Sequence, residues 1–99
     1  LLALPTLAGA NADVEKNIAN SKNWAMQAGD MFNQRYSKLK QINTGNVGKL
    51  NVAWALQLGT TRSQESTPIL VGDTLFVTSS FGPKNVFAVN ARTGEVKWQ

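Results

Sequence analysis

The sequence has 99 residues, a length that allows one small domain and excludes a large enzyme with a deep pocket of its own. Its formal net charge is +4, but the 10 Lys and Arg residues are scattered from Lys16 to Lys97, so no basic cluster indicates nucleic-acid binding. The chain contains neither Cys nor His, which excludes a disulfide, a thiolate metal site and a Ser–His or Cys–His catalytic pair within these residues and leaves carboxylates or a bound cofactor for any chemistry.

The first segment, residues 1–12, is typical of the second half of a secretory signal peptide. It is uncharged and apolar, it ends on small residues, and Ala10-Asn11-Ala12 matches the pattern that signal peptidase accepts. The alternative interpretation is an ordinary apolar terminus. A membrane-spanning helix is not expected, because the run is short and Pro5 interrupts it. We therefore expect an exported protein whose mature chain starts near Asp13, and a sequence that is a fragment of a longer chain.

Residues 13–50 are predicted to form an N-terminal arm that is mostly irregular, with short helical turns. Asp13 is a candidate N-cap of a helix that ends near Ser21, and Thr44 is a candidate cap of a single turn that ends near Leu50. Between these turns the segment is rich in Asn, Gln and Lys and carries isolated apolar residues. That pattern is typical of a segment that lies over a larger body.

From residue 51 onward, short apolar runs alternate with turns at even spacing, which predicts an all-β fold. The predicted strands are residues 51–56, 69–71, 74–79, 85–90 and 95–99, with a hairpin turn at Gly72-Asp73 and polar loops at 60–68 and 81–84. The runs Leu75-Phe76-Val77 and Val86-Phe87-Ala88-Val89 lack the alternation of a sheet with one face in water. A meander that is apolar on both faces lies between two other layers, as in a blade of a β-propeller, and the edge of a β-sandwich is the alternative.

The segment from Ala88 to Trp98 contains the most specific pattern. Ala88, Gly94 and Trp98 have the spacing of the tryptophan-docking repeat "Ala-x-Asp-x-x-Thr-Gly-x-x-x-Trp", with Asn90 at the position where Asp is usual. Gly94 permits a tight turn, and Trp98 can lay its ring against a neighbouring blade while its indole N–H seeks a carbonyl. A generic hairpin that ends in a core Trp is the alternative. The repeat alone predicts a propeller and not an enzyme.

The remaining segments resemble the N-terminal part of the methanol/ethanol family of quinoprotein alcohol dehydrogenases. Segments 23–24, 36–39, 41–43, 46–47 and 50–54 are similar to the arm of that family, segments 71–77 and 85–89 to its first-blade strands, and segment 62–68 to its first cofactor-side loop. The resemblance covers nearly everything after residue 13. It implies a fragment of an eight-bladed β-propeller, with residues 13–50 as the N-terminal arm and residues 51–99 as the first-blade region.

The resemblance also implies a function. Members of the family are periplasmic enzymes that oxidise methanol, ethanol or a related small alcohol with pyrroloquinoline quinone (PQQ) and a Ca or lanthanide ion, and they pass the electrons to a cytochrome c. A homodimer or a small-subunit partner is implied as well, with neither a nucleic acid nor a membrane span. The catalytic base and the metal ligands are implied to lie beyond Gln99.

One candidate site residue follows from the resemblance. Among the family's cofactor contacts, only the loop glutamate maps onto this sequence, as Glu65. From composition alone, a Glu in a polar loop is typical of a solvated surface residue. Two other functions stay open at this point, a cofactor-free propeller that scaffolds other proteins and a quinoprotein that acts on sugars.

Overall fold

The computed structural model describes residues 11–80 and 86–99. Within these ranges the elements are helix α1, a single 3-10 turn and four strands, β1 to β4. Their bounds are Ala12–Ala19 for α1, Val47–Lys49 for the 3-10 turn, Ile69–Val71 for β1, Thr74–Thr78 for β2, Val86–Asn90 for β3 and Val96–Trp98 for β4. Most of the predicted signal segment, residues 1–10, and the predicted loop 81–84 lie outside the described residues.

The strands form an antiparallel meander in the order β1-β2-β3-β4, as the alternating apolar runs predict. The Gly72-Asp73 turn joins β1 to β2, so that Val71 pairs with Thr74. Gly72 has a φ of +59°, which a residue without a Cβ adopts at little cost. The β2–β3 pairing runs without a break from Thr74 opposite Asn90 to Thr78 opposite Val86. The all-β fold class is therefore confirmed.

The turn between β3 and β4 is organised by the side chain of Asn90. Its Oδ1 accepts hydrogen bonds from the backbone N–H groups of Arg92, at 2.9 Å, and Thr93, at 3.2 Å. The backbone N–H of Gly94 donates to the carbonyl of Asn90 at 2.8 Å, and the N–H of Asn90 donates to the carbonyl of Glu95 at 2.8 Å. Because Asn and Asp both offer a side-chain oxygen at this position, the departure from the repeat at Asn90 leaves the turn intact.

The buried core is centred on strand β3. Ala88 and Val89 are fully buried, although neighbouring residues of a strand point to opposite faces of the sheet. The sheet is therefore covered on both faces at this strand, as predicted for a sheet between two layers. Ala88 pairs with Phe76 on one side and with Trp98 on the other. Its small side chain leaves room for these two aromatic rings to meet above it, with their centroids 6.2 Å apart.

The predicted strand at residues 51–56 is wrong. This segment is extended, but none of the described residues pairs with it in a ladder. Its Trp54 instead lies across the β3–β4 turn, where its indole Nε1–H donates to the carbonyl of Ala91 at 3.0 Å. A Cβ at Gly94 would lie 2.7 Å from Cδ2 of Trp54, so the ring rests directly on the glycine backbone. Trp54 is thus fixed on this turn by its ring and by its indole N–H, a contact that the sequence did not predict.

Trp98 is the residue for which the sequence predicts docking on a neighbouring blade. In the described chain its side chain is 52% exposed, and its aromatic contact is with Phe76. Its docking on a further blade stays a prediction.

Two predicted caps in the arm are wrong. Helix α1 begins at Ala12 and not after Asp13, because Asn11 is the N-cap and its side chain accepts from the backbone N–H of Asp13 at 2.9 Å. The helix also ends at Ala19, before the predicted Ser21. Thr44 makes no cap. The turn before Val47 is held by Asn46, whose Oδ1 accepts from the N–H of Asn43 at 2.8 Å. In both cases the amide side chain of an Asn reaches the backbone N–H.

The arm is attached to the sheet at the edge of β1. Trp24 and Leu70 exchange backbone hydrogen bonds of 2.8 and 2.9 Å, and Asn23 Oδ1 accepts from the N–H of Gly72 at 2.9 Å. The Trp24 ring packs on Gly29, where an added Cβ would lie 2.8 Å away. These contacts attach residues 23–24 of the arm along β1.

Candidate functional site

Glu65, the predicted cofactor contact, lies on the loop that leads into β1. Its side chain is exposed. The loop is fastened to the end of β2 by the preceding residue, Gln64. The Gln64 carboxamide accepts a hydrogen bond from the N–H of Ser80 at 3.0 Å and donates to the carbonyl of Thr78. It also donates to Ser66 Oγ at 3.1 Å, so both neighbours of Glu65 take part in one hydrogen-bonded group.

An open cleft of about 620 Å³ lies beside this loop. Among the described residues, four consecutive loop residues line it and one residue of the arm faces them; they are Gln64, Glu65, Ser66, Thr67 and Gln27. The structure therefore places Glu65 in a concave region, although the carboxylate itself is in contact with solvent. Sequence reasoning missed the other lining residues. Adjacency to Glu65 is a signal for the loop residues, but nothing in the sequence connects Gln27 with them.

The groups that line the cleft are suited to a ligand with several oxygen acceptors. Gln27 offers amide N–H groups, and Thr67 offers a hydroxyl. Ser66 accepts from Gln64 and can still donate its own O–H proton. The implied quinone, PQQ, is a flat polycarboxylate, and such donors fit one edge of it. The Glu65 carboxylate fits the same edge only if it shares a proton with the ligand or an Arg lies between them, since two bare carboxylates repel each other.

The described residues do not fit the implied metal ion. Across residues 11–80 and 86–99 there is no group of three or more His, Cys, Asp and Glu side chains that could hold one. No ligand set for Ca or a lanthanide can therefore be assigned to them.

In the part of the chain that the structure describes, no helix is long and apolar enough to cross a membrane.

Known proteins resemble this chain in both sequence and fold. The PQQ family model described as "Glucose/ethanol/alcohol dehydrogenase, beta-propeller domain" matches residues 24–99. The chain is 38% identical over 101 residues to a lanthanide-dependent methanol dehydrogenase of Methylacidiphilum fumariolicum, and the match covers 100% of this chain and 16% of that protein. It is 39% identical over 105 residues to a quinohemoprotein alcohol dehydrogenase of Pseudomonas putida, with 100% of this chain and 14% of that protein covered.

Among solved structures, the fold is similar to that of a europium-containing methanol dehydrogenase. The TM-score is 0.79 at 37% sequence identity, and the match covers 89% of this chain and 16% of that one. A quinohemoprotein alcohol dehydrogenase from Pseudomonas putida also gives a TM-score of 0.79, at 36% identity, with 91% of this chain and 13% of that one covered. The chain thus spans about 16% of the length of relatives such as the methanol dehydrogenases.

Proposed function

We propose that this chain, which belongs to the PQQ family of glucose, ethanol and alcohol dehydrogenase β-propellers, is part of a quinoprotein. The whole protein oxidises a small primary alcohol to an aldehyde. The observation that supports this most directly is the cleft at Glu65. A polar loop held by a rigid blade is the usual place for a cofactor contact. The similar proteins named as methanol and alcohol dehydrogenases support an alcohol as the substrate class.

In this proposal the residues of the cleft hold one edge of PQQ. The amide of Gln27 and the hydroxyls of Ser66 and Thr67 donate to its oxygens, and Glu65 shares a proton with it. Bound PQQ supplies the oxidant for the alcohol, and the protein orients it. We assign the loop residues binding and orientation of PQQ only.

The second cofactor of the whole protein is proposed to be a Ca or lanthanide ion. The relatives that are named lanthanide-dependent support this choice of metals. The described residues offer no ligand set for this ion, so none of them is assigned a contact with it.

We further propose a periplasmic location and a cytochrome c as electron acceptor. The location is supported by Ala10-Asn11-Ala12 after an uncharged apolar run, the pattern of an export signal. The electron acceptor, and a homodimer or a small subunit as protein partner, are supported by the resemblance to the methanol/ethanol family.

A second candidate function is the oxidation of a sugar, because the matching family description includes glucose dehydrogenases. Purified full-length protein, loaded with PQQ and either Ca²⁺ or La³⁺, is assayed with methanol, ethanol and glucose in a dye-linked assay. We expect turnover of at least one alcohol and none of glucose. Turnover of glucose alone would favour the second candidate, and the absence of turnover with every substrate and metal would contradict both.

A further inference from the structure

We propose that Gln64 is a positioning residue, whose carboxamide holds Glu65 in place for contact with PQQ. This inference rests on the proposed function, because it assumes that Glu65 meets the quinone. Gln64 itself is bound to the protein and not to the ligand. Its Nε2 donates to the carbonyl of Thr78, and its Oε1 accepts from the N–H of Ser80 at 3.0 Å.

The two partners of Gln64 lie at the point where β2 ends. Thr78 is the last residue of β2, and Ser80 follows two residues later. The carboxamide offers a donor and an acceptor side by side, as a peptide group does, so it pairs with this backbone as an added strand would. Only one orientation of the amide makes both hydrogen bonds. In the opposite orientation, Nε2 would face the N–H of Ser80 and Oε1 would face the carbonyl of Thr78.

The same side chain reaches across Glu65. Nε2 of Gln64 is 3.1 Å from Ser66 Oγ, and Glu65 lies between these two residues in the chain. The backbone of Glu65 is therefore held on both sides by a group that is anchored to the blade. Because an exposed loop residue loses conformational freedom when it contacts a ligand, a loop that is already held binds with a smaller entropy cost. This is the way in which Gln64 acts through Glu65.

Substitutions that keep the size of the side chain test this role in the full-length apo protein. Gln64→Leu removes the donor and the acceptor together. Gln64→Glu keeps an acceptor for the N–H of Ser80 but turns an oxygen toward the carbonyl of Thr78. A matched control is Gln57→Leu, because Gln57 is exposed and its side chain makes no hydrogen bond within the described ranges. The measurements are the Kd for PQQ by fluorescence titration and the melting temperature of each apo protein.

We expect Gln64→Leu and Gln64→Glu to raise the Kd for PQQ by up to about fivefold, because a residue that acts only through Glu65 cannot contribute more than the contact of Glu65 itself, about one net hydrogen bond. Gln57→Leu should bind as the wild type does. The decisive comparison is a double-mutant cycle with Glu65→Ala. If Gln64 acts through Glu65, then Gln64→Leu raises the Kd little or not at all when Glu65→Ala is already present.

The outcomes separate this inference from the proposed function. If Gln64→Leu raises the Kd for PQQ equally in the wild-type and the Glu65→Ala backgrounds, the positioning role is overturned. An unchanged Kd in both Gln64 variants would overturn it as well. If Gln64→Leu does not fold, the cycle is carried out with Gln64→Glu, whose shape is closer to that of the wild type. A wild-type protein that does not bind PQQ would contradict the proposed function itself.

Discussion

Glu65 has the environment of a rim residue. Its carboxylate is exposed, and the cleft beside it is lined by amides and hydroxyls. A contact with a polycarboxylate quinone at this position requires a shared proton or an Arg between the two groups, because two bare carboxylates repel each other.

This assignment predicts different results for two substitutions of Glu65. Glu65→Gln should bind PQQ about as well as the wild type, because an amide can replace a contact with a shared proton. Glu65→Ala should lose about 1 kcal/mol of binding free energy, the usual net contribution of one hydrogen bond. Titration of the full-length apo protein with PQQ measures both. If Glu65→Ala binds as the wild type does, Glu65 is a solvated surface residue and the site assignment is wrong.

Trp54 contributes to stability through the packing of its ring and through the hydrogen bond that its indole N–H donates. Trp54→Phe removes the indole N–H that meets the carbonyl of Ala91, and should lower the free energy of unfolding of the full-length protein by about 1 kcal/mol. Trp54→Ala should cost about 3 kcal/mol, the low end for an aromatic residue, since the side chain is only half-buried. Urea unfolding provides the measurement.

The control for Trp54→Phe is Trp24→Phe. The indole N–H of Trp24 makes no hydrogen bond within residues 11–80 and 86–99, so this variant loses ring area but no donor contact. If Trp54→Phe lowers the free energy of unfolding no more than Trp24→Phe does, the hydrogen bond to Ala91 contributes nothing measurable.

At the scale of elements, the β3–β4 turn requires a glycine for two reasons, a positive φ and close contact with an aromatic ring. Gly94 has a φ of +77°, and it also lies under the ring of Trp54. The turn of the β1–β2 hairpin has only the first requirement, because Gly72 has a φ of +59° and nothing lies within 4 Å of an added Cβ. The two turns therefore separate backbone strain from loss of packing.

Gly72→Ala should destabilise the full-length protein by about 1 kcal/mol, the cost of a left-handed conformation for a residue with a Cβ. Gly94→Ala should cost about 1 to 3 kcal/mol more, because the added methyl group displaces the Trp54 ring. Thermal unfolding of the two variants side by side tests the difference. Equal destabilisation would mean that the ring of Trp54 moves aside without loss of contact.

The arm contributes to the sheet at the edge of β1. Trp24 forms a bridge with Leu70, and Asn23 accepts from the N–H of Gly72, so backbone groups at this edge of the strand are satisfied by the arm. An uncovered strand edge is a site of aggregation, and the arm reduces this exposure. The same attachment brings Gln27 to the cleft.

As a whole, the chain is less compact than an independent domain of its size. The radius of gyration is 17.5 Å. A compact domain of about 100 residues has a radius of about 13 Å. The buried apolar residues within the described ranges are Ala28, Phe87, Ala88 and Val89, whereas Phe32 is 83% exposed and Val52 is 86% exposed. Repeat units of this kind bury their remaining apolar surface against their neighbours.

We therefore expect residues 1–99 alone to fold poorly and to show no dye-linked alcohol oxidation with PQQ and metal supplied. The physical reason is that so small a core does not offset the conformational entropy of the chain. Circular dichroism during heating should show no cooperative transition, with the full-length protein as the positive control. A sharp transition, or turnover above a control without protein, would contradict this expectation.

Export is expected to shorten the chain. If signal peptidase cuts after Ala12, the mature protein loses Asn11, the residue that caps helix α1, and the first residue of that helix. The start of α1 should then fray, since an uncapped helix leaves backbone N–H groups unpaired. N-terminal sequencing of the exported full-length protein provides the test. A mature chain that still contains Leu7 would rule out this cleavage site.

The sequence by itself determined the features that depend on neighbouring residues. Strand β1, the Gly72-Asp73 hairpin and the turn from Ala91 to Gly94 follow from short-range patterns of apolar and Gly residues, and the structure confirms them. The apolar run in β3 also predicted that both faces of the sheet are covered, because a run without alternation places apolar side chains on both sides.

Only the tertiary structure decided which distant residues meet. Trp54 docks on Ala91, 37 residues away, and Gln64 binds Thr78 and Ser80, 14 and 16 residues away. Residues 51–56 have the composition of a strand, yet strand formation requires a partner, and composition does not specify one. The candidate site depends on these contacts between distant segments, since Gln27 and Glu65 face one cleft only after the arm and the loop have been fastened to the same sheet.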